Sequence, residues 1–132
     1  MNTSNIIIRF YGITKDPETN NFMMVMDYAE NGSLRQSLNK NFNSMNWTGK
    51  FRNLHSIANG LSDIHKNGLI HQDFHSGNIL QYNWTCISDL GLCKPANEKS
   101  EKWDKNVYGV LPYVAPEVLR GKEYTQASDV YG

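Results

Sequence analysis

The 132-residue sequence contains only two cysteines, Cys86 and Cys93, which are too few for a disulfide framework and lack the spacing of a metal site. We expect both to be ordinary thiols in a reducing compartment. The sequence also lacks an excess of either charge, because thirteen basic residues balance thirteen acidic ones. Without a basic surface, a nucleic-acid partner is not expected.

Long apolar runs are absent as well. The N-terminal segment has only the three isoleucines Ile6–Ile8, whereas a membrane-spanning helix needs about 20 apolar residues. Neither a signal peptide nor a membrane partner is therefore expected, and a cytoplasmic location is the default expectation. With 39% hydrophobic and 20% charged residues, the composition is that of a globular domain rather than a disordered chain.

Two β-prone runs near the N-terminus, Ile6–Tyr11 and Phe22–Tyr28, flank the turn-forming stretch KDPETNN and predict a β-hairpin. The segment SLRQSLNK is expected to form a short helix, with its first residue, Ser33, as the N-cap. A second hairpin is predicted with strands Ile79–Gln81 and Thr85–Ser88.

A longer helix is predicted between these hairpins, with an apolar face that packs in the core. His65 and Lys66 fall in its last turn, and the Asn67-Gly68 pair is expected to end it. Further along, the polar stretch Leu92–Val107 is expected to be a long loop. The apolar face of the helix consists of Phe51, Leu54, Ile57, Ala58, Leu61 and Ile64.

Three polar clusters follow one another in the second half of the sequence. Asp73 and Asn78 come first, then Asp89-Leu90-Gly91, and then Ala115-Pro116-Glu117. Taken singly, each cluster has an ordinary structural explanation: an aspartate at a turn, an aspartate ending a strand, a proline stopping a helix. Their order within about 45 residues is much harder to attribute to chance.

This order resembles the protein kinases, in which H-R-D-L-x-x-x-N, D-F-G and A-P-E follow one another. The corresponding strings here are HQDFHSGN, DLG and APE. FMMVMDYAENGSL looks like the strand and hinge that join the two kinase lobes, and DVYG looks like the start of the central large-lobe helix. HSGNIL, SDLGL and LPYVAPE look most like tyrosine-kinase-like (TKL) serine/threonine kinases, a group expanded in some fungi.

The resemblance implies an α+β, bilobal protein-kinase-like fold, of which residues 1–132 form a part. Residues 1–26 would end the small lobe, 27–33 would form the hinge, and 34–132 would belong to the large lobe. The implied activity is ATP-dependent phosphoryl transfer to protein hydroxyl groups, with Ser/Thr rather than Tyr as the expected acceptor. ATP and Mg²⁺ are the implied cofactors, ATP and a protein substrate the implied partners, and no oligomeric state is indicated.

The resemblance also assigns roles to single residues. Asp73 would orient the substrate hydroxyl and accept its proton. Asn78 and Asp89 would provide the oxygen ligands that Mg²⁺ prefers. His75 stands where serine/threonine kinases usually place a lysine that contacts the transferring phosphate, and a histidine is the weaker cation near pH 7.

At the implied adenine site, Met26 would be the gatekeeper residue that lines the pocket. The Asp27 carbonyl and the Ala29 backbone N–H would form hydrogen bonds with the edge of the adenine. Leu80 would pack under the ring.

Two substitutions depart from the kinase pattern. Gln72 replaces the arginine that pairs with a phosphorylated activation loop, so phosphorylation of Ser100 or Tyr108 is a poor candidate for an on-switch. Val110 stands where serine/threonine kinases carry a threonine that bonds the catalytic aspartate, which weakens the serine/threonine assignment.

Several kinase motifs have no counterpart in these 132 residues: the G-x-G-x-x-G loop, the V-A-I-K lysine and the C-helix glutamate. We therefore expect this stretch alone to be inactive or very weak as an enzyme. Two alternatives stay open on the sequence. One is a catalytically impaired, pseudokinase-like binding or scaffold module, and the other is a gene fragment that does not fold.

Overall fold

The computed structural model describes residues 7–98 and 107–132. Among these residues, no helix is long and apolar enough to cross a membrane. The elements are β1 (Phe10–Lys15), β2 (Phe22–Met26), α1 (Leu34–Asn41), α2 (Trp47–Lys66), β3 (Leu69–Ile70), β4 (Ile79–Gln81), β5 (Thr85–Ile87), β6 (Lys94–Pro95), α3 (Pro116–Leu119) and α4 (Gln126–Tyr131). Single 3₁₀ turns lie at Leu90–Leu92 and Leu111–Tyr113.

Strands β1 and β2 form the predicted N-terminal hairpin, with Lys15 opposite Phe22. Asp16 organises its turn, because its carboxylate accepts hydrogen bonds from the Thr19 hydroxyl at 2.7 Å and from the Glu18 N–H at 2.9 Å. These two hydrogen bonds favour the charged form and lower the pKa of Asp16. The turn chemistry read from KDPETNN therefore predicted the hairpin correctly.

The predicted bounds of the first strand, Ile6–Tyr11, are wrong. The strand begins at Phe10, while Ile7 forms a parallel bridge with Ile87 and the Ile8 N–H donates to the Ile87 carbonyl at 3.1 Å. Ile7 also packs against the core around Ile87, so the packing of Ile7 outweighs its propensity to extend the hairpin. Ile6 lies outside the described residues.

Helix α1 begins as predicted, with Ser33 as its N-cap. The Ser33 hydroxyl accepts from the Gln36 N–H at 3.3 Å, and the Gln36 side-chain oxygen accepts from the Ser33 N–H at 2.9 Å. This reciprocal capping box satisfies two backbone donors at the start of the helix.

Helix α2 is present as predicted and ends at the Asn67 C-cap, followed by Gly68 with φ of 72°. The predicted buried face is only partly confirmed. Leu61 and Ile64 are buried, whereas Phe51 is 66% and Leu54 61% exposed. The buried residues of α2 lie in its C-terminal half, where Leu61 and Ile64 pack against Ile87 of β5 and Leu69 of β3. The N-terminal half contacts β5 through a hydrogen bond from the Thr85 hydroxyl to the Asn53 side-chain oxygen at 3.0 Å, but its large apolar side chains stay exposed.

The main core joins Leu61 and Ile64 of α2 to Ile87 of β5. Strand β5 pairs with β4 as predicted, with Ile79 opposite Ile87. The predicted polar loop is interrupted, because β6 pairs with β3. Residues 99–106 of that loop, including Ser100, lie outside the described residues.

Candidate functional site

The stretch from residue 71 to residue 78 connects β3 to β4 and carries most of the predicted catalytic residues. Its flanking residues Ile70 and Ile79 are 2% and 4% exposed. The loop is therefore held at both ends by buried apolar side chains, as its sequence suggests.

Asp73 and Asn78 are in direct contact. The Asn78 side-chain nitrogen donates to Asp73 Oδ2 and to the Asp73 backbone oxygen, both at 3.0 Å. Because both partners are acceptors, the Asn78 amide nitrogen is fixed toward Asp73 and its oxygen faces elsewhere. The other carboxylate oxygen, Asp73 Oδ1, is buried and accepts no hydrogen bond from the described residues.

His75 is buried beside this free oxygen. Its Nδ1 accepts a hydrogen bond from the Gly77 N–H at 3.0 Å, so the neutral ring carries its proton on Nε2. Nε2 lies 3.4 Å from Asp73 Oδ1, which is too long for a well-formed hydrogen bond and leaves an electrostatic contact. The structure thus brings Asp73, His75 and Asn78 together, with both ring nitrogens of His75 facing protein groups.

Gly109 is a site residue that the sequence analysis missed. Its φ is 104°, and a Cβ at this position would lie 3.3 Å from Asp73 Oδ1 and 3.5 Å from the Gln72 carbonyl oxygen. A side chain here would be strained and would also crowd the aspartate. A glycine preceding the A-P-E string was the available signal, but its contact with Asp73 is not visible in the sequence.

Asp129 was predicted only as the start of a helix, and the structure shows that it anchors the loop. Its carboxylate is 2% exposed and accepts from the His71 N–H at 2.8 Å and from the Gln72 N–H at 2.9 Å. His65 Nε2 lies 2.9 Å from the same carboxylate. Gln72 has φ of 69°, a conformation that costs a non-glycine residue energy, and Asp129 holds its N–H there.

His71 ties the loop to the end of β5. The ring is fully buried, Nε2 donates to the Ser88 carbonyl at 3.1 Å, and Nδ1 accepts from the Asp73 N–H at 3.3 Å. Since a carbonyl only accepts, the tautomer with the proton on Nε2 satisfies both contacts. His71 therefore positions the backbone of Asp73.

Asp89 follows β5 at the same end of the hairpin as Asn78. Ser88, its neighbour, donates from its N–H and its hydroxyl to the Asn78 carbonyl at 2.8 and 2.9 Å. Asp89 is exposed, with φ of 58°, and Oδ1 accepts from the Gly91 N–H at 3.4 Å. Asn78 and Asp89 offer the hard oxygen donors that suit Mg²⁺, and this donor set fits the implied metal.

In the described part of the chain, no three His, Cys, Asp or Glu side chains are grouped closely enough to hold a metal ion. The two thiols are also unsuited to catalysis. Burial raises the pKa of Cys86 and of Cys93 to about 11, so both are protonated at neutral pH.

The segment proposed as the hinge is fastened to β4. The Gln81 N–H donates to the Gly32 carbonyl at 2.8 Å, and Ser33 forms an antiparallel bridge with Leu80. Met26, at the end of β2, and Ala29, in the following link, are both half-buried. The structure thus places Leu80 beside the segment that carries the other predicted adenine contacts.

Asp27 is held at three points. Its N–H donates to the Arg9 carbonyl at 3.1 Å, and its carbonyl accepts from the Tyr82 hydroxyl at 3.2 Å. Its carboxylate accepts from the Tyr11 hydroxyl at 2.6 Å. Trp84 stacks on Tyr82 with ring centroids 5.4 Å apart. Tyr82 was not predicted to contact the hinge.

The family model described as protein tyrosine and serine/threonine kinase matches residues 1–132, the whole of this sequence. The chain belongs to the protein kinase family. The predicted α+β, protein-kinase-like fold is thereby confirmed. The kinase signature strings coincide with the site described above: HQDFHSGN is the loop between β3 and β4, DLG follows β5, and APE opens α3.

Curated relatives are similar over nearly all of this chain. A probable serine/threonine-protein kinase of Dictyostelium discoideum is 30% identical over 98% of the chain and 7% of its own length. The ankyrin repeat-containing protein kinase A of the same organism is 31% identical over 97% of the chain and 9% of its own length. The L-type lectin-domain containing receptor kinase V.5 of Arabidopsis thaliana is 32% identical over 95% of the chain and 20% of its own length.

This kinase chain therefore spans a fifth or less of the length of these three relatives. The relatives combine a kinase region with other sequence, as the names of the ankyrin-repeat and lectin-domain proteins indicate. What is common to all three and to this chain is the kinase region.

Proposed function

We propose that the protein transfers the terminal phosphoryl group of ATP to Ser or Thr hydroxyl groups of other proteins, as a member of the TKL group. The single observation that carries this proposal is the buried Asp73 Oδ1, which has no hydrogen-bond donor among the described residues while Oδ2 is held by Asn78. A fixed carboxylate with one free oxygen is suited to orient a hydroxyl and take its proton.

In this mechanism the substrate hydroxyl donates its hydrogen bond to Asp73 Oδ1, and its proton passes to that oxygen. The hydroxyl oxygen bonds to the γ-phosphorus of ATP while the bond from that phosphorus to the β,γ-bridging oxygen breaks, and ADP leaves with the bridging oxygen. Phosphoryl transfer depends mainly on positioning and on charge neutralisation. Asp129 and His71 supply the positioning, since they hold the backbone on either side of Gln72.

His75 acts on Asp73 rather than on the phosphate in this arrangement. Its Nε2–H faces Asp73 Oδ1 at 3.4 Å, an electrostatic contact that orients the carboxylate. The phosphate contact implied by the kinase resemblance would require the ring to turn and to give up the Gly77 hydrogen bond.

Asn78 and Asp89 are the residues that would hold Mg²⁺, which when bound neutralises charge on the ATP phosphates. The orientation of Asn78 supports this role, because its nitrogen is occupied by Asp73 and its oxygen remains for a cation.

The proposed adenine site consists of Met26, Asp27, Ala29 and Leu80. Residues 1–26 are proposed to form the end of the small lobe, residues 27–33 the hinge, and residues 34–132 part of the large lobe. The hydrogen bonds that fasten residues 31–33 to β4 support the proximity of hinge and Leu80.

The test is phosphoryl transfer from Mg-ATP to a general protein substrate by the natural protein that carries this chain. Asp73→Asn should lower the rate by about 10²–10⁴-fold, the usual contribution of a general base. Asp63→Asn, on the surface of α2, should not lower it. Transfer that persists in Asp73→Asn would contradict the mechanism.

Phosphoamino-acid analysis of the product then separates the Ser/Thr assignment from a Tyr assignment. Calorimetry on the same preparation measures the binding of Mg-ATP and tests the alternative of an impaired binding module. A protein that binds nucleotide and transfers nothing would be the impaired binding module.

A further inference from the structure

An arginine lies over the candidate catalytic loop. Arg35 is the second residue of α1, and its N–H donates to the Ser76 carbonyl at 3.0 Å. A Cβ placed on Gly77 would lie 3.5 Å from the carbon of the Arg35 guanidinium. The same carbon is 5.9 Å from the centroid of the Tyr113 ring. Two segments distant from α1 in sequence, the loop at Ser76 and Gly77 and the turn at Tyr113, thus meet at Arg35.

Tyr113 connects Arg35 to the catalytic residues. Its ring centroid is 5.8 Å from that of His75, and its hydroxyl lies 3.3 Å from the Ser76 hydroxyl. His75 in turn contacts Asp73. The Arg35 guanidinium is therefore linked to the proposed base through two intervening side chains, Tyr113 and His75.

The charge of Arg35 is not neutralised in this structure. Within residues 7–98 and 107–132, no carboxylate lies within 4.0 Å of its side-chain nitrogens. The aromatic contact with Tyr113 orients the guanidinium plane but uses none of its five N–H donors. Because arginine stays charged at every accessible pH, this half-buried fork is suited to a carboxylate or phosphate.

We propose that Arg35 recognises an anionic side chain close to the acceptor hydroxyl, so that the protein prefers acidic protein substrates. This inference rests on the proposed function, because it assigns the substrate class of the same site. Gly77 contributes by its lack of a side chain, because a Cβ there would lie 2.8 Å from His75 Cε1 and 3.5 Å from the Arg35 guanidinium carbon and would crowd both side chains. An aspartate or glutamate of the substrate supplies the required charge, and a phosphoserine offers the same chemistry.

The test compares serine peptides of one length in which a single Asp occupies each position flanking the acceptor in turn, together with Ala, Lys and phosphoserine versions. For the natural protein, kcat/KM at one or two flanking positions should be about tenfold higher with Asp than with Ala, the effect of one charge-assisted hydrogen bond. Added salt should reduce this ratio, since exposed charges are screened. A higher value for phosphoserine than for Asp would identify prior phosphorylation as the source of the charge.

Arg35→Glu should reverse the preference toward the Lys peptide, and Arg35→Lys should keep part of the preference for Asp. Arg52→Glu is the matched control, because Arg52 is an exposed arginine of α2 outside the candidate site and should leave the Asp-to-Ala ratio as it is. Equal kcat/KM for Asp and Ala peptides in the natural protein, or the same ratio in Arg35→Glu as in Arg52→Glu, would overturn the inference.

Peptide binding without ATP, measured by fluorescence anisotropy, separates this inference from the proposed function. If no peptide is phosphorylated but the Asp peptide still binds more tightly through Arg35, phosphoryl transfer is refuted and the recognition of acidic peptides stands. If phosphorylation occurs without any charge preference, the recognition of acidic peptides is refuted and phosphoryl transfer stands. If no peptide binds or reacts, both are refuted.

Discussion

The N-terminal hairpin and the candidate catalytic loop are held in opposite ways. In the hairpin, most large apolar side chains are exposed, with Phe22 at 80% and Ile13 at 66%, and the two strands are held chiefly by their own hydrogen bonds. In the loop between β3 and β4, irregular backbone is fixed by buried polar groups, chiefly His71 and Asp129, which are 0% and 2% exposed.

The comparison shows that a segment of this chain can be held in one conformation without forming regular secondary structure. A two-stranded hairpin alone is marginally stable in water, so β1 and β2 are ordered mainly by their turn and ladder. The loop has no ladder, yet each of its key backbone N–H groups donates to a buried acceptor. The following predictions test this difference, beginning with the largest expected effect.

Asp129→Ala should destabilise the protein by about 4 kcal/mol, because it leaves the N–H groups of His71 and Gln72 buried without an acceptor. Urea unfolding measures the loss. Glu123→Ala is the control, because Glu123 is exposed and substitutions at exposed positions usually change stability by less than about 0.5 kcal/mol. Equal losses in the two variants would show that the loop is not held by Asp129.

Ile87→Ala should cost about 3 kcal/mol, since this 0%-exposed side chain is the centre of the main core. Ile13→Ala, the same change in the hairpin, should cost less than about 0.5 kcal/mol because the side chain is 66% exposed. Thermal unfolding of both variants measures the contrast. A large loss for Ile13→Ala would mean that the hairpin is packed against something in solution.

Gly109→Ala should reduce kcat by about tenfold or more, because the added methyl group would lie 3.3 Å from Asp73 Oδ1 and displace the base. Gly121→Ala is a close control. Gly121 also has a positive φ, 84°, but a Cβ there meets nothing within 4 Å. Both variants should lose about 1 kcal/mol of stability from backbone strain. If both lowered kcat equally, strain rather than contact with Asp73 would be the cause.

Tyr82→Phe should destabilise the hinge segment by about 1 kcal/mol through loss of the hydrogen bond to the Asp27 carbonyl. Hydrogen exchange of the amides of residues 27–33 should become faster. Tyr28→Phe serves as the control, because Tyr28 is 84% exposed. Unchanged exchange in Tyr82→Phe would indicate that the bonds to β4 suffice to hold the hinge.

The two thiols give the smallest expected effect. Their pKa values are raised from 9.0 to about 11 by burial. This contribution to stability is complete below pH 9 and is lost as the pH rises through about 11, since only the unfolded state ionises in that window. Alkylation near pH 8 should be slow until urea unfolds the protein. Fast alkylation of Cys86 in the folded protein would show that β5 opens more readily than its burial suggests.

Local signals in the sequence predicted the features that depend on neighbouring residues. Ser33 as a helix cap, the turn at Asp16 and the apolar ends of the catalytic loop are of this kind, because capping and turn chemistry act over a few residues. The position of Asp73 next to Asn78 also followed from their spacing in one loop.

Contacts between distant residues could not be predicted in this way. Asp129 and His71 are 58 positions apart, and only the folded chain brings them together. The periodicity of α2 identified its apolar face correctly but not which half of that face is covered, because the covering elements lie elsewhere in the sequence. Gly109 and Arg35 were missed for the same reason.

The long separation between Asp129 and the loop also has a consequence for the order of folding. Before Asp129 docks, the N–H groups of His71 and Gln72 lack their native acceptor, and the left-handed backbone of Gln72 has nothing to hold it. Contacts between residues this far apart in the sequence form slowly, because a long loop must close first. During synthesis, the α2–β5 core can therefore assemble while the catalytic loop still samples other conformations, and the loop reaches its final geometry only after α4 has emerged.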